Sequence, residues 1–186
     1  LRQLVLAATM AQAAFVFPPI AAIAASSDAF FKLLLSDRWT GAGEIFTLLA
    51  GAAAVQTVIG LNGSLLQAIG HTGARLRLTV EYAMLWCVLA LVLAQFGIEA
   101  VAAGCSAATV AYLPRLLQLY LKPIDCSPLD FMRALAGPAA IGGVIFLTHR
   151  ALMSRIDLDA WPEVGLAVLE TLIVYAVLLW FGRSAI

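Results

Sequence analysis

Six apolar stretches, each long enough to cross a bilayer, follow one another along this chain with only short polar connections between them. A helical crossing needs roughly 20 predominantly apolar residues, and in hydrocarbon each backbone N–H and C=O must find its partner within the segment. The pattern therefore predicts an all-α, polytopic membrane bundle of about six transmembrane helices. Composition agrees: 63% of residues are hydrophobic and 12% charged, against about 45–50% and about 25% in an average soluble domain. The connections leave no room for an extramembrane catalytic domain.

The expected spans are residues 4–25, 44–69, 75–96, 98–121, 128–152 and 162–181. Pro18-Pro19 is expected to kink the first span or end it early. A short helix capped by Ser27 or Asp28 should follow, then a loop over 36–43 with Trp39 as an interfacial anchor. Gly70-His71-Thr72-Gly73 makes a tight turn with Gly70 as the helix stop, and Gly97 ends the third span. Ser127-Pro128-Leu129-Asp130 opens the fifth with a cap, a first-turn proline and an acid at the positive end of the dipole. Short turns make spans two and three, and spans three and four, antiparallel neighbours, which implies hairpin-by-hairpin packing.

Alternating sides along the chain places Arg2, Arg75, Arg77, Arg115, Lys122, Arg133 and Arg183 at one membrane face. Lys32, Arg38, Arg150 and Arg155 fall at the other. The positive-inside rule makes the richer face cytoplasmic, and with it both ends of the chain. Eleven basic and eleven acidic residues balance, so nothing favours nucleic acid, whose binding leans on clustered positive charge. Cys87, Cys105 and Cys126 form neither a metal signature nor a disulfide framework; Cys87 and Cys105 read as packing residues.

Reactive groups are sparse. His71 and His149 fall at opposite faces and cannot share a metal, and no serine has a histidine nearby. No carboxylate pair is spaced to share one helix face within the bilayer. No enzyme activity, cofactor or metal is expected. The polar residues inside the spans say more. Gln56, Gly60, Gly63 and Gln67 are spaced four, three and four apart and share a face of span two, flanked by Asn62 and Ser64. The stripe lines an aqueous cavity, or it is a seam where small residues and amides join helices; either way it should face inward. Glu170 lies near the middle of the last span, where a charge costs roughly 2.5–3.5 kcal/mol on insertion scales. It should face the bundle interior, serving ions, protons or substrate, or bond as a neutral acid to another helix. Arg115 either reaches a phosphate in an internal cavity or snorkels to the headgroups. Arg77 and Glu81 are placed to pair at i, i+4. Pro18, Pro19, Gly137 and Pro138 are expected to break helices within the membrane, as hinges or as passive kinks.

The stretch Phe31-Lys-Leu-Leu-Leu-Ser-Asp-Arg-Trp39 with Gly41 and Ala42, and the later Asn62-Gly-Ser-Leu-Leu-Gln-Ala-Ile-Gly70, carry a resemblance. So do Arg75 and Arg77 opening the next span and the segment Ser-Pro-Leu-Asp-Phe-Met-Arg-Ala-Leu-Ala-Gly-Pro over 127–138. The chain resembles polysaccharide exporters of the oligosaccharide-flippase type, the Wzx-like branch of the multidrug/oligosaccharidyl-lipid/polysaccharide (MOP) superfamily. The likeness covers nearly all 186 residues but only about the last half of a family member, so it implies a C-terminal lobe whose N-terminal lobe is absent from this chain. It further implies flipping of a lipid-linked oligosaccharide of the undecaprenyl-diphosphate type across the bacterial inner membrane. Alternating access would serve lipopolysaccharide or exopolysaccharide biosynthesis, with polysaccharide polymerases or synthases as partners. Arg115 is the residue that would correspond to the family's basic cavity residues. Two other readings stand beside it: a cation-coupled small-molecule or drug antiporter of the same superfamily, and a non-transporting scaffold for polysaccharide synthases.

Overall fold

The computed structural model describes residues 2–39, 41–156 and 158–183, and the side chains of 37, 61, 62, 65, 178, 179 and 181–183 lie outside the described set. It is an all-α bundle with no strand among the described residues: α1 (Arg2–Ala25), α2 (Ser27–Leu35), α3 (Ala42–Ala68), α4 (Thr72–Leu93), α5 (Ile98–Leu121), α6 (Pro128–Met153) and α7 (Ala160–Arg183). Every one except the short α2 is long and apolar enough to cross a membrane. The chain is thus built as a multi-pass membrane protein.

Local chemistry sets the helix ends. Gly70 (φ +84°) and Gly97 (φ +100°) adopt the left-handed backbone that stops α3 and turns the chain into α5, a conformation open to glycine at no steric cost. Ser127 caps α6 as expected, its hydroxyl accepting from the Leu129 N–H at 3.2 Å, with Pro128 in the first turn. The start of α2 differs from expectation. The helix already includes Ser27 and Asp28, and neither caps it. Only Ser26 separates it from α1: its hydroxyl donates back to Ala22 O, while Ser27 pairs with Thr47 of α3 at 3.0 Å. These hydroxyls are held by neighbouring turns and helices, which leaves none to cap an N-terminus.

Neither α1 nor α6 ends early at its prolines. α1 runs unbroken through Pro18 and Pro19, and α6 through Gly137 and Pro138. A proline removes one intrahelical hydrogen bond, and packing makes up the loss: Pro18 and Pro138 are both buried where neighbouring helices hold the backbone.

Long-range contacts fix the direction of each helix. Arg2 meets Asp130 at one end of the α1–α6 contact and Phe17 meets Gly142 further along, so these helices are parallel. Gln56 with Thr109 and Leu48 with Ser106 make α3 and α5 parallel. Gln12 with Thr57 and Thr47 with Ala24 make α1 and α3 antiparallel, as Glu81 with Tyr112 and Leu93 with Gly104 do for α4 and α5. These are the relations that alternate crossings demand. The end carrying Arg2 also carries Asp130, the Gly70 turn and Lys122, and the other end carries α2 and the start of α7.

α3, α4 and α5 pack as the expected successive antiparallel neighbours, but hairpin packing does not extend to the whole bundle. The most extensive contact joins α1 to α6, far apart in sequence, while α5 and α6 barely touch. One group is α1, α6 and α7, with Ala22, Ile145 and Ala167 at its centre. The other is α3, α4 and α5, around Ile59, Leu66, Leu78, Leu116 and Tyr120. They meet along α1 and α3, and a core of Val5, Phe17, Val58, Leu121 and Phe131 joins them toward the Arg2 end. Between lipid-exposed helices there is little hydrophobic driving force, so close packing carries the association. Gly142 shows how close: a Cβ there would stand 3.3 Å from Phe17 O.

Candidate functional site

The second group holds a continuous run of polar and aromatic side chains. Gln56 of α3 donates through Nε2 to the Tyr82 hydroxyl of α4 at 2.6 Å, and Tyr82 lies 2.6 Å from Thr109 Oγ1 of α5. Thr109 spends its own proton on Cys105 O at 2.9 Å. Tyr82 must therefore donate to Thr109, which gives the chain a single direction from Gln56 to the α5 backbone. Three helices are tied at one point, and Thr109 is fully buried.

Tyr82 also stacks on Tyr112, with ring centroids 5.6 Å apart at 30°, and packs against Trp86 at 5.9 Å. One turn further toward the Arg2 end, Tyr112 donates to Glu81 Oε2 at 2.7 Å. Glu81 accepts from Arg77 Nε at 2.8 Å through its other oxygen, and Arg115 Nε stands 3.8 Å away. One carboxylate thus faces two guanidiniums, leaving positive charge in excess. Arg115 and Arg77 remain well exposed, with side-chain accessibilities of 46% and 73%, so an incoming anion can reach them. Three aromatic rings, an amide, a carboxylate and two guanidiniums in one column form a surface able to hold a polar, negatively charged headgroup.

The structure sorts the sequence candidates. Gln56 is half-buried and central, and Arg115 joins it through Tyr82, Tyr112 and Glu81. Gln67 does not join them. It is exposed, as is Gly60, while Gly63 is buried against the Arg75 guanidinium. A shared helix face gives direction but not cover: α4 and α5 cover the stripe at Gln56, and Arg75 covers it at Gly63. The side chain of Asn62 lies outside the described residues. Cys105 is buried as a packing residue, whereas Cys87 is exposed. Arg77 and Glu81 pair as expected. The sequence reading missed Tyr82, Trp86, Thr109 and Tyr112. Two of them carried a signal: Tyr82 and Trp86 lie i, i+4 on one face of α4, beside Glu81.

Glu170 belongs to the other group of helices. Its Oε2 lies 3.1 Å from Nδ1 of His149, which is fully buried, and Glu163 Oε1 lies 3.8 Å from the opposite ring nitrogen. This overturns one expectation: Glu163 and Glu170, seven residues apart, do share one face of α7, and both face the buried His149. A seven-residue step is close to two helical turns, so the shared face was already visible in the spacing within the expected span 162–181. No group of His, Cys, Asp and Glu among the described residues is arranged to hold a metal ion.

No family model, curated protein or solved structure matches this chain.

Proposed function

We propose that this chain is one lobe of a transporter that moves lipid-linked oligosaccharide or polysaccharide precursors across a bacterial inner membrane. The observation that carries the reading is the column from Gln56 through Tyr82, Tyr112 and Glu81 to Arg77 and Arg115, set into largely apolar helices. Stacked tyrosines offer flat faces to sugar rings, the amide and hydroxyls offer hydrogen bonds, and guanidinium forks suit a diphosphate. A headgroup passes along such a wall while its lipid tail stays in hydrocarbon, and no bond is broken. The end rich in arginine is the cytoplasmic one on the positive-inside rule, which places the guanidiniums where a newly made precursor would enter. A facing lobe completes the groove, and alternating access comes from one lobe rocking against the other.

The test is complementation of a flippase-deficient strain by the full-length gene product carrying Gln56→Leu, Tyr112→Phe and Arg115→Ala together. Surface polysaccharide should be lost while the protein still accumulates in the membrane. Undiminished complementation would remove the reading.

A further inference from the structure

Away from the column, His149 of α6 is wholly enclosed, yet its Nε2 has no hydrogen-bond partner. Nδ1 meets Glu170 Oε2 at 3.1 Å, a normal hydrogen bond, whereas Nε2 faces Glu163 Oε1 at 3.8 Å. An orphaned ring nitrogen in a buried site is costly, and here it is aimed at a carboxylate. Glu163 is shared with a second feature. It lines a cavity of about 580 Å³ at the start of α7, bordered by Asp28, Lys32 and Ser36 of the α2 region and by Leu158, Asp159 and Ala160. The cavity lies at the membrane end opposite Arg2. Glu163 is therefore both the floor of a polar vestibule and the nearest acid to the buried imidazole nitrogen that lacks a partner.

We infer that His149, Glu163 and Glu170 form a proton-binding site filled from the α2–α7 vestibule. A proton from water in the vestibule adds to the Nε2 lone pair, while Nδ1–H continues to donate to Glu170. The imidazolium then lies between two carboxylates, and the cluster passes from two negative charges to one. Nε2–H now has Glu163 as its acceptor, and closing the 3.8 Å gap to a normal charge-assisted bond of about 2.8 Å draws the start of α7 onto α6. Release reverses each step. Among the described residues, the titratable groups facing the site are Glu163 and Glu170 from α7, Asp28 and Lys32 from α2, and Asp159 from the preceding connection. The stretch of α1 packed there, residues 15–25, contributes no titratable side chain. Carboxylates thus outnumber the one lysine. The inference is independent of the transport reading, because proton binding is measured with no substrate present.

The chain has two histidines, and His71 lies exposed in the turn before α4, which makes it an internal control. Nitrogen-15 NMR of the protein in lipid nanodiscs reads the state of each imidazole between about pH 5 and pH 8. His149 should pass from one protonated nitrogen to two. Glu163→Gln and Glu170→Gln should each displace that transition, whereas Glu99→Gln, at the same membrane end on α5, should leave it in place. A His149 signal that keeps one state throughout overturns the inference without need of any variant. So does a titration unmoved by both Glu163→Gln and Glu170→Gln, with an unchanged His71 signal showing that the fold is intact.

Discussion

Tyr82→Phe is the sharpest test of the column, because it removes one oxygen from a chain of hydrogen bonds whose direction is fixed. The wild-type hydroxyl accepts from Gln56 at 2.6 Å and donates to Thr109 at 2.6 Å. Phenylalanine keeps the ring that stacks on Tyr112 and touches Trp86, so packing is conserved. Two bonds are lost, although Gln56 retains a longer contact to Thr109 at 3.4 Å. Interhelical hydrogen bonds in membranes average about 0.6 kcal/mol with a maximum near 1.7 kcal/mol. Two of them therefore come to about 1.2 kcal/mol, with a ceiling of about 3.4 kcal/mol. The expected effect is a shift of just under tenfold in the unfolding equilibrium, measured by reversible unfolding in mixed micelles. A cycle with Gln56→Leu isolates the bond between them. When Tyr82→Phe is already present the leucine has less left to remove, so the two costs should fall short of additivity by about 0.6 kcal/mol. Additive costs within about 0.3 kcal/mol would mean that Gln56 and Tyr82 do not share a bond in the membrane, and the column would lose its central link.

Three further outcomes follow from the packing. Gly142→Leu should destabilise by about 1–3 kcal/mol through overpacking against Phe17, read by unfolding and by a longer spin-label distance between α1 and α6, while Gly142→Ala should be far milder. Gly70→Ala should cost about 1–2 kcal/mol for its left-handed backbone; nothing lies within 4 Å of the added carbon, so Gly70→Asn should recover part of the loss. His149→Leu should cost about 1.5–3 kcal/mol, the worth of a hydrogen bond to a charged partner, and adding Glu170→Gln should then cost little more, since the carboxylate has already lost its partner.

Much of the fold was legible because it depends on properties local to each segment. Apolar length marks a crossing, Gly70 and Gly97 mark stops, and Ser127-Pro128 marks a start; each acts within a few residues. Arg77 and Glu81 were legible for the same reason, one helical turn apart. The α1–α6 pairing was not, because any apolar span can lie against any other, and the choice rests on how Gly142 and Phe17 fit. The prolines were ambiguous in a related way: a proline signals a lost hydrogen bond, but neighbouring helices decide whether the helix ends there. Thr109 and His149 were hidden as well. Their partners sit on other helices, and a single sequence gives each helix face a direction without naming what covers it.

The arrangement of the two helix groups bears on how the molecule can move. Each carries a cluster of three titratable side chains, and these two clusters stand at opposite membrane ends: Glu81 with Arg77 and Arg115 in α3–α5, and His149 with Glu163 and Glu170 in α6–α7. The groups are joined by large side chains toward the Arg2 end, where Phe131, Leu121 and Val58 interlock. Beyond that core, α3 and α6 stand apart over a floor of α1, leaving a groove of about 390 Å³ walled largely by alanine and glycine, among them Ala50, Gly51, Ala139 and Gly143. Small side chains interlock little, so sliding there disturbs few contacts, whereas the interlocked core resists it. Relative motion of the groups is therefore cheapest as a pivot about the Phe131 core. Such a pivot would change the spacing at the α2–α7 vestibule most and the spacing at Arg2 and Asp130 least. Distances measured between α3 and α6 at both ends would separate this pivot from uniform breathing, since only the pivot leaves the Arg2 end unchanged.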